Sequence, residues 1–125
     1  MPDAMKMLAS EAAKFEHFRQ GYEAMAATIV HLREGVTRNS QQDPAAAAHL
    51  INLYDQQLAL LAEMVTSCNR VIAIFRDPDS SDEPVEELHT MMDAITTNQK
   101  VMTHLMNESS KIAPGAKIRG EGRIQ

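Results

Sequence analysis

The chain has no tryptophan, one cysteine, five glycines and five prolines in 125 residues. A single cysteine excludes an intrachain disulfide and a zinc site built on cysteine pairs. Aromatic residues make up only 4% of the chain, too few for a surface on which nucleic-acid bases stack. The sequence shows neither the apolar run of roughly 20 residues that spans a bilayer nor a secretory signal pattern. We therefore expect a cytoplasmic protein.

The formal net charge of −5 argues against a dedicated DNA-binding protein, which needs a basic face. This charge is unevenly placed. Residues 77–93 contain seven acidic residues and no Lys or Arg, whereas the segment from Lys111 onward has a net charge of +3. We expect these two regions to orient a partner electrostatically. The residues concerned are Asp79, Asp82, Glu83, Glu86 and Glu87 in the acidic region, and Lys117, Arg119 and Arg123 in the basic one.

Apolar residues recur at a seven-residue spacing in the first part of the chain. One row contains Leu8, Phe15, Tyr22, Ile29 and Val36, and a second contains Met5, Ala12, Phe18, Met25 and Leu32. Spacings of three and four that repeat in this way are typical of an amphipathic helix with coiled-coil packing. Gly35 falls at the expected end of this helix, either as its terminator or in its last turn.

The second and third segments show the same pattern. Asp43-Pro44 is a helix start signal, and Asp77-Pro78 is a stop signal. The helix between them has apolar residues on two sides, which predicts that it is the central helix. The sequence therefore predicts an all-α fold, an elongated antiparallel three-helix bundle running up-down-up with heptad packing. The bundle occupies residues 1–112, with helices at about 3–37, 44–76 and 82–112, and a flexible basic tail follows at 113–125.

Residue patterns for catalysis or metal binding are weak. Cys68 lies in an apolar row of the second helix, where we interpret it as a small buried hydrophobic residue. Glu86 and His89 match one half of a di-iron motif, but no second Glu-x-x-His is present, and the pair begins a polar stripe. We expect no enzyme activity, no cofactor and no metal site.

Methionine is abundant, with nine residues against five Phe and Tyr together. Met-rich helix faces fill cores that are poor in aromatics, and they also form adaptable binding surfaces. Core filling is the preferred interpretation, and the polar Gln99 within the third helix's apolar row adds some weight to the second, because a polar residue at a seam sets register or partner choice. The residues we expect at a partner-binding face are Met91, Met92, Ile95, Gln99, Met102, Met106, Tyr22 and Met25.

These features indicate a non-enzymatic helical module for protein–protein interaction, which binds a partner by a helix in a groove or by completing a bundle. In composition and architecture the chain resembles the small, acidic, all-helical export chaperones of flagellar and related secretion systems. That resemblance implies a cytoplasmic chaperone or adaptor that holds a partner's amphipathic helix. The alternatives are a coiled-coil subunit of a larger assembly and a helical inhibitor or regulator. The heptad rows are also compatible with a homo-oligomer, whereas nucleic acid is not an expected partner.

Overall fold

The computed structural model describes the backbone of residues 2–112 and the side chains of residues 5–112. Three α-helices account for nearly all of this range: α1 (Pro2–Arg38), α2 (Pro44–Arg76) and α3 (Pro84–Ile112). A short 3₁₀ helix, Pro78–Ser80, lies between α2 and α3. No strand occurs within the described range, and the all-α three-helix prediction is confirmed. The tail predicted to be flexible, residues 113–125, lies outside the described residues.

Both ends of α2 are set by the predicted Asp-Pro signals. At the start, the Asp43 side chain accepts a hydrogen bond of 3.1 Å from the Ala46 backbone N–H, and Pro44 occupies the first turn. That bond satisfies one of the amide groups that a helix start leaves without a backbone partner. At the end, Asp77 leaves the helical conformation before Pro78. Both signals therefore act as the sequence predicts.

The first and third helices differ from prediction only at their ends. α1 continues through Gly35 to Arg38, so this glycine lies in the last turn and does not terminate the helix. α3 begins at Pro84, two residues later than predicted. Residues 81–83 instead form a bend, in which the Ser81 hydroxyl accepts a hydrogen bond from the Glu83 backbone N–H. Proline suits the first helical turn, where no hydrogen bond from its nitrogen is required.

The helix α2 is the centre of the fold. α1 and α3 each pack along α2 but scarcely approach one another. The side chains that are almost completely buried lie on α2, among them Leu61, Met64, Cys68 and Val71. The prediction of a central second helix is confirmed, and the reason is that α2 has apolar residues on two sides.

Polar contacts fix how the outer helices are aligned with α2. Arg33 of α1 donates two hydrogen bonds to Asp55, at 2.7 and 3.3 Å, and Arg19 donates one of 2.8 Å to Asn69. On the other side, the buried Gln57 donates to the Leu105 backbone carbonyl and to the Ser109 hydroxyl of α3. These contacts confirm that α1 is antiparallel to α2, because higher residue numbers on α2 meet lower ones on α1. The contact of Arg70 with Glu87 does the same for α3, since Arg70 follows Gln57 along α2 whereas Glu87 precedes Leu105.

By length and composition alone, α2 could cross a bilayer, since an 18-residue window of it has a mean hydropathy of 1.6. This differs from the sequence expectation, which found no adequate apolar run. A helix that forms the centre of a bundle meets the same criterion, because its apolar residues are shared between two neighbours.

Gly21 offers a test of how α1 is stabilised. It lies in the middle of the helix, and a Cβ atom added there would meet no atom within 4 Å other than its chain neighbours and the backbone of its own helix. Glycine in a helix interior costs about 0.8–1.0 kcal/mol relative to alanine. Gly21→Ala should therefore raise the free energy of unfolding by roughly 0.5–1 kcal/mol in urea denaturation. Gly35→Ala, three residues from the helix end, should have a smaller effect, and an unchanged or lowered stability of Gly21→Ala would contradict this account.

Candidate protein-binding surface

The structure divides the residues predicted to bind a partner into three groups. Tyr22, Ile95 and Met102 are buried in the core, with only 5% of Ile95 and 3% of Met102 exposed. Met25, Met91 and Met92 are half-buried against that core. Met106 is 39% exposed, and Gln99 is also exposed. The three core residues are thus excluded from any preformed binding surface, because a partner cannot reach them.

The α1 helix has two rows of side chains, one on each side of its buried central row of Phe15, Tyr22 and Ile29. One row meets α2, as the contacts of Arg19 and Arg33 show. The other row lies on the opposite side of the central row and contains Phe18, Met25 and Leu32. Phe18 is 44% exposed, and the other two are half-buried.

The α3 helix is arranged in the same way about its buried residues Ile95 and Met102. One row meets α2: it contains Leu105 and Asn98, whose amide donates to Glu63 at 3.5 Å. The opposite row contains Met92, Gln99 and Met106. Since α3 faces α2 with the first row, the opposite row lies on the side of α1.

We call the two inner rows the seam, defined as Phe18, Met25 and Leu32 of α1 with Met92, Gln99 and Met106 of α3. Because α1 and α3 scarcely approach one another, the seam is an incompletely closed contact between helices. It brings together four residues of the predicted binding face: Met25, Met92, Gln99 and Met106. Met91 belongs instead to the side of α3 that meets α2.

One hydrogen bond crosses the seam. The Gln99 side-chain amide donates to the Tyr22 hydroxyl at 2.5 Å. Burial raises the pKa of Tyr22, and the bond from Gln99 opposes this shift. The expectation that Gln99 acts as a polar register residue is consistent with this geometry, because the bond fixes α3 against α1 at one level of the seam.

The seam opens at one end into a surface depression of about 410 Å³. Leu32 and Val36 of α1, Leu50 of α2 and Ile112 of α3 supply its apolar lining. This depression lies beside the loop between α1 and α2, at the end of the rod opposite the acidic region. The apolar surface available to a docking helix therefore extends past Leu32 to the end of α1.

Phe18 and Leu32 are the seam residues that the sequence-based prediction of the binding face omitted. A signal for Phe18 exists in the spacing of the second apolar row, which steps by seven except between Ala12 and Phe18, where the step is six. Ala12 belongs to the row that meets α2 and is buried, whereas Phe18 begins the seam row. The six-residue step thus marks a change from one side of α1 to the other.

The acidic region lies where α2 ends and α3 begins. Asp79, Asp82, Glu83 and Glu86 are exposed there, as a partner-orienting role requires. Glu87 is different, because its carboxylate accepts hydrogen bonds from Arg70 and from the Ser81 hydroxyl. Glu87 is thus part of the connection between α2 and α3 and is not a free charge. The basic residues Lys117, Arg119 and Arg123 lie outside the described residues.

Within residues 2–112 no group of three or more His, Cys, Asp or Glu side chains is placed to hold a metal ion. Glu86 and His89 are both exposed. Cys68 is fully buried, and burial raises the pKa of its thiol, which disfavours the reactive thiolate. Its prediction as a buried apolar residue is confirmed.

No protein-family model, no curated protein and no solved structure matches this chain.

The bond between Tyr22 and Gln99 can be measured by a double-mutant cycle. Tyr22→Phe should lower the free energy of unfolding by about 0.5–1.5 kcal/mol, and adding Gln99→Ala should cost less than it does in the wild-type background. Tyr54→Phe is the matched control, since no hydrogen bond from the Tyr54 hydroxyl is found among the described residues. Strictly additive effects of Tyr22→Phe and Gln99→Ala would show that the bond contributes nothing.

The pairing of Glu87 predicts how stability changes in acid. The hydrogen bonds from Arg70 and Ser81 lower the pKa of Glu87 from 4.5 to about 2, so the fold favours the ionised carboxylate. This stabilisation is complete above pH 4.5 and is lost as the pH falls toward 2. In denaturant titrations, the free energy of unfolding of Glu87→Gln should therefore fall less than that of the wild type as the pH is lowered from 4.5 to 2. Glu86→Gln, at the exposed neighbouring position, is the control, and its free energy of unfolding should fall with pH as steeply as that of the wild type. An equally steep fall for Glu87→Gln would contradict the role given to the Glu87 carboxylate.

Proposed function

We propose that the protein is a non-enzymatic helical interaction module, and more specifically a small cytoplasmic chaperone or adaptor that holds a partner's amphipathic helix along the seam. The observation that carries this proposal is the exposed apolar surface on Phe18 and Met106, on facing rows of two helices that are not closed against each other. An amphipathic helix in a groove makes contacts three, four and seven residues apart, which matches seam rows spaced by seven.

The composition of the seam supports this role. Three of its six residues are methionines, whose flexible side chains adjust to differently shaped partners. The α1 row is also free of charge from Phe18 to Leu32, and depletion of charge is typical of the centre of a protein–protein interface. The exposed acidic residues at one end of the rod would favour one direction of the bound helix through long-range electrostatics.

A second candidate is a structural subunit that joins several helices in a larger assembly. Leu8 and Ala12 of α1 still pack in the core, so about 9 Å of the helix, residues 2–7, precedes its packed part. Met5 and Met7, 68% and 66% exposed, lie on this extension. Such an end would suit insertion between neighbouring subunits.

The main proposal is tested by affinity capture on immobilised protein, followed by reconstitution with the purified captured partner. The double variant Phe18→Gln/Met106→Gln should lose at least tenfold in partner affinity and keep its helical circular dichroism, because neither side chain is in the core. Met102 is unsuitable for this test, since its burial means that a polar substitution would unfold the protein.

Val30→Gln provides the matched control. Val30 is as exposed as Phe18, at 43% against 44%, but lies outside the seam on the other side of α1. Its substitution should leave partner affinity unchanged. Equal losses for Val30→Gln and the double variant would refute the seam as the binding surface, and partner capture that depends on Met5 and Met7 instead would favour the structural subunit.

A further inference from the structure

We infer that the tail, residues 113–125, lies extended along the seam of its own chain when no partner is bound. The inference rests on the seam being a docking surface, as proposed above, and it names a regulation of that surface, because the tail and a partner helix would compete for it.

The tail begins where the seam opens. Ile112, the last residue of α3, lines the surface depression together with Leu32. The dipeptide Pro114-Gly115 follows almost at once, and it disfavours a continued helix and favours a turn. A chain that turns back here enters the depression. Ile118 is only six residues from Ile112, so its side chain is within reach of the apolar lining.

Residues 116–125 alternate strictly between two kinds of side chain. Apolar or small residues occupy every second position: Ala116, Ile118, Gly120, Gly122 and Ile124. Polar or charged residues occupy the positions between them: Lys117, Arg119, Glu121, Arg123 and Gln125. A period of two places each set on its own face of an extended chain. An extended tail is therefore amphipathic, with one face suited to an apolar groove and the other to solvent.

The spacing of the two isoleucines matches the length of the α1 row of the seam. Ile118 and Ile124 are six residues apart, which is about 20 Å in an extended chain. Phe18 and Leu32 are fourteen residues apart, which is about 21 Å along a helix. With Ile118 against Leu32, Ile124 therefore reaches the exposed Phe18.

The middle of the tail suits the middle of the seam. Gly120 and Gly122 fall between the two isoleucines, and the Gln99–Tyr22 hydrogen bond crosses the seam between Phe18 and Leu32. Because glycine has no side chain, the tail backbone can pass closely over the helices where this bond joins them.

The rims of the seam have no charge over this length. The residues next to the α1 row are Gly21, Thr28 and Gly35, and those next to the α3 row are Thr96, Thr103 and Ser110. The hydroxyls of Thr28 and Thr103 donate to carbonyl groups of their own helices, so they need no partner in the seam. No charged rim residue would repel the Lys and Arg side chains of the tail, which stay in solvent on its outer face.

The short connection favours the tail over any free occupant. Five residues separate Ile112 from Ile118, and a linker this short gives a local concentration in roughly the millimolar range. Even weak docking is then enough to fill the seam, and a partner helix has to displace the tail. If the seam is free in roughly one molecule in ten, the apparent affinity for a partner falls about tenfold.

The methionine methyl groups of the seam provide the test. The Tyr22–Gln99 bond places Met106 within one turn of the level of Leu32, and Met92 within one turn of that of Phe18. In methyl NMR of the full chain, Ile118→Ser should therefore shift the signal of Met106, and Ile124→Ser should shift that of Met92.

Arg119→Ser and Arg123→Ser, on the outer face of the tail, are the matched controls and should leave both signals in place. The signals of Met5 and Met7, which precede the core, should not move in any variant. Unmoved seam signals, or equal shifts in the two controls, would overturn the inference. Shifts that depend on protein concentration would also overturn it, since the tail of a second copy would then be the occupant.

The regulation is tested with the captured partner. The double variant Ile118→Ser/Ile124→Ser should bind it on the order of tenfold more tightly than the wild type, and an unchanged affinity would refute the competition. Partner capture that requires Phe18 and Met106, with unmoved methyl signals, would refute the docked tail and leave the proposed function intact. The expected methyl shifts in a chain that captures no partner would do the reverse.

Discussion

The structure depends on the breadth of the apolar surface of α2. In a compact three-helix bundle each helix buries one narrow stripe against both neighbours. Here α2 buries residues on two sides, including Tyr54 and Leu61 in one row and Leu53 and Ile74 in another. Each outer helix therefore has its own part of α2 to cover, and the two are held apart by the helix that joins them. The open seam follows directly from this division.

Polar contacts then determine how the helices are aligned. Heptad rows alone permit a helix to shift by seven residues and still bury apolar side chains. Gln57 lies almost completely within the interface of α2 with α3, and a shift of α3 would leave its amide without the Leu105 carbonyl and the Ser109 hydroxyl. An unpaired buried amide costs free energy. The ion pair of Arg33 with Asp55 has the same aligning effect on α1 but, being exposed, a smaller energetic one.

The sequence was sufficient to predict the helices and their order, because Asp-Pro signals and seven-residue spacings are local. It was also sufficient to place α2 at the centre. It did not separate Met102 from Met106, which are neighbours in the same pattern but differ in exposure by more than tenfold. That difference depends on how far α3 is rotated about its axis, and tertiary contacts such as those of Gln57 set this rotation. Gln99 was recognised as a polar residue within an apolar row. Its bond to Tyr22 joins residues 77 positions apart, so no pattern in the sequence around either residue predicts it.

The position of Cys68 has a consequence for observing this protein in motion. Its sulfur is fully buried on α2, in the same core cluster as Tyr22. A thiol reagent can reach it only when the outer helices separate or α2 unfolds. The rate of labelling at this natural thiol therefore reports the frequency of opening. Any ligand that holds α1 and α3 together would slow that rate. The labelling rate of Cys68 therefore also indicates whether the surface between the outer helices is occupied.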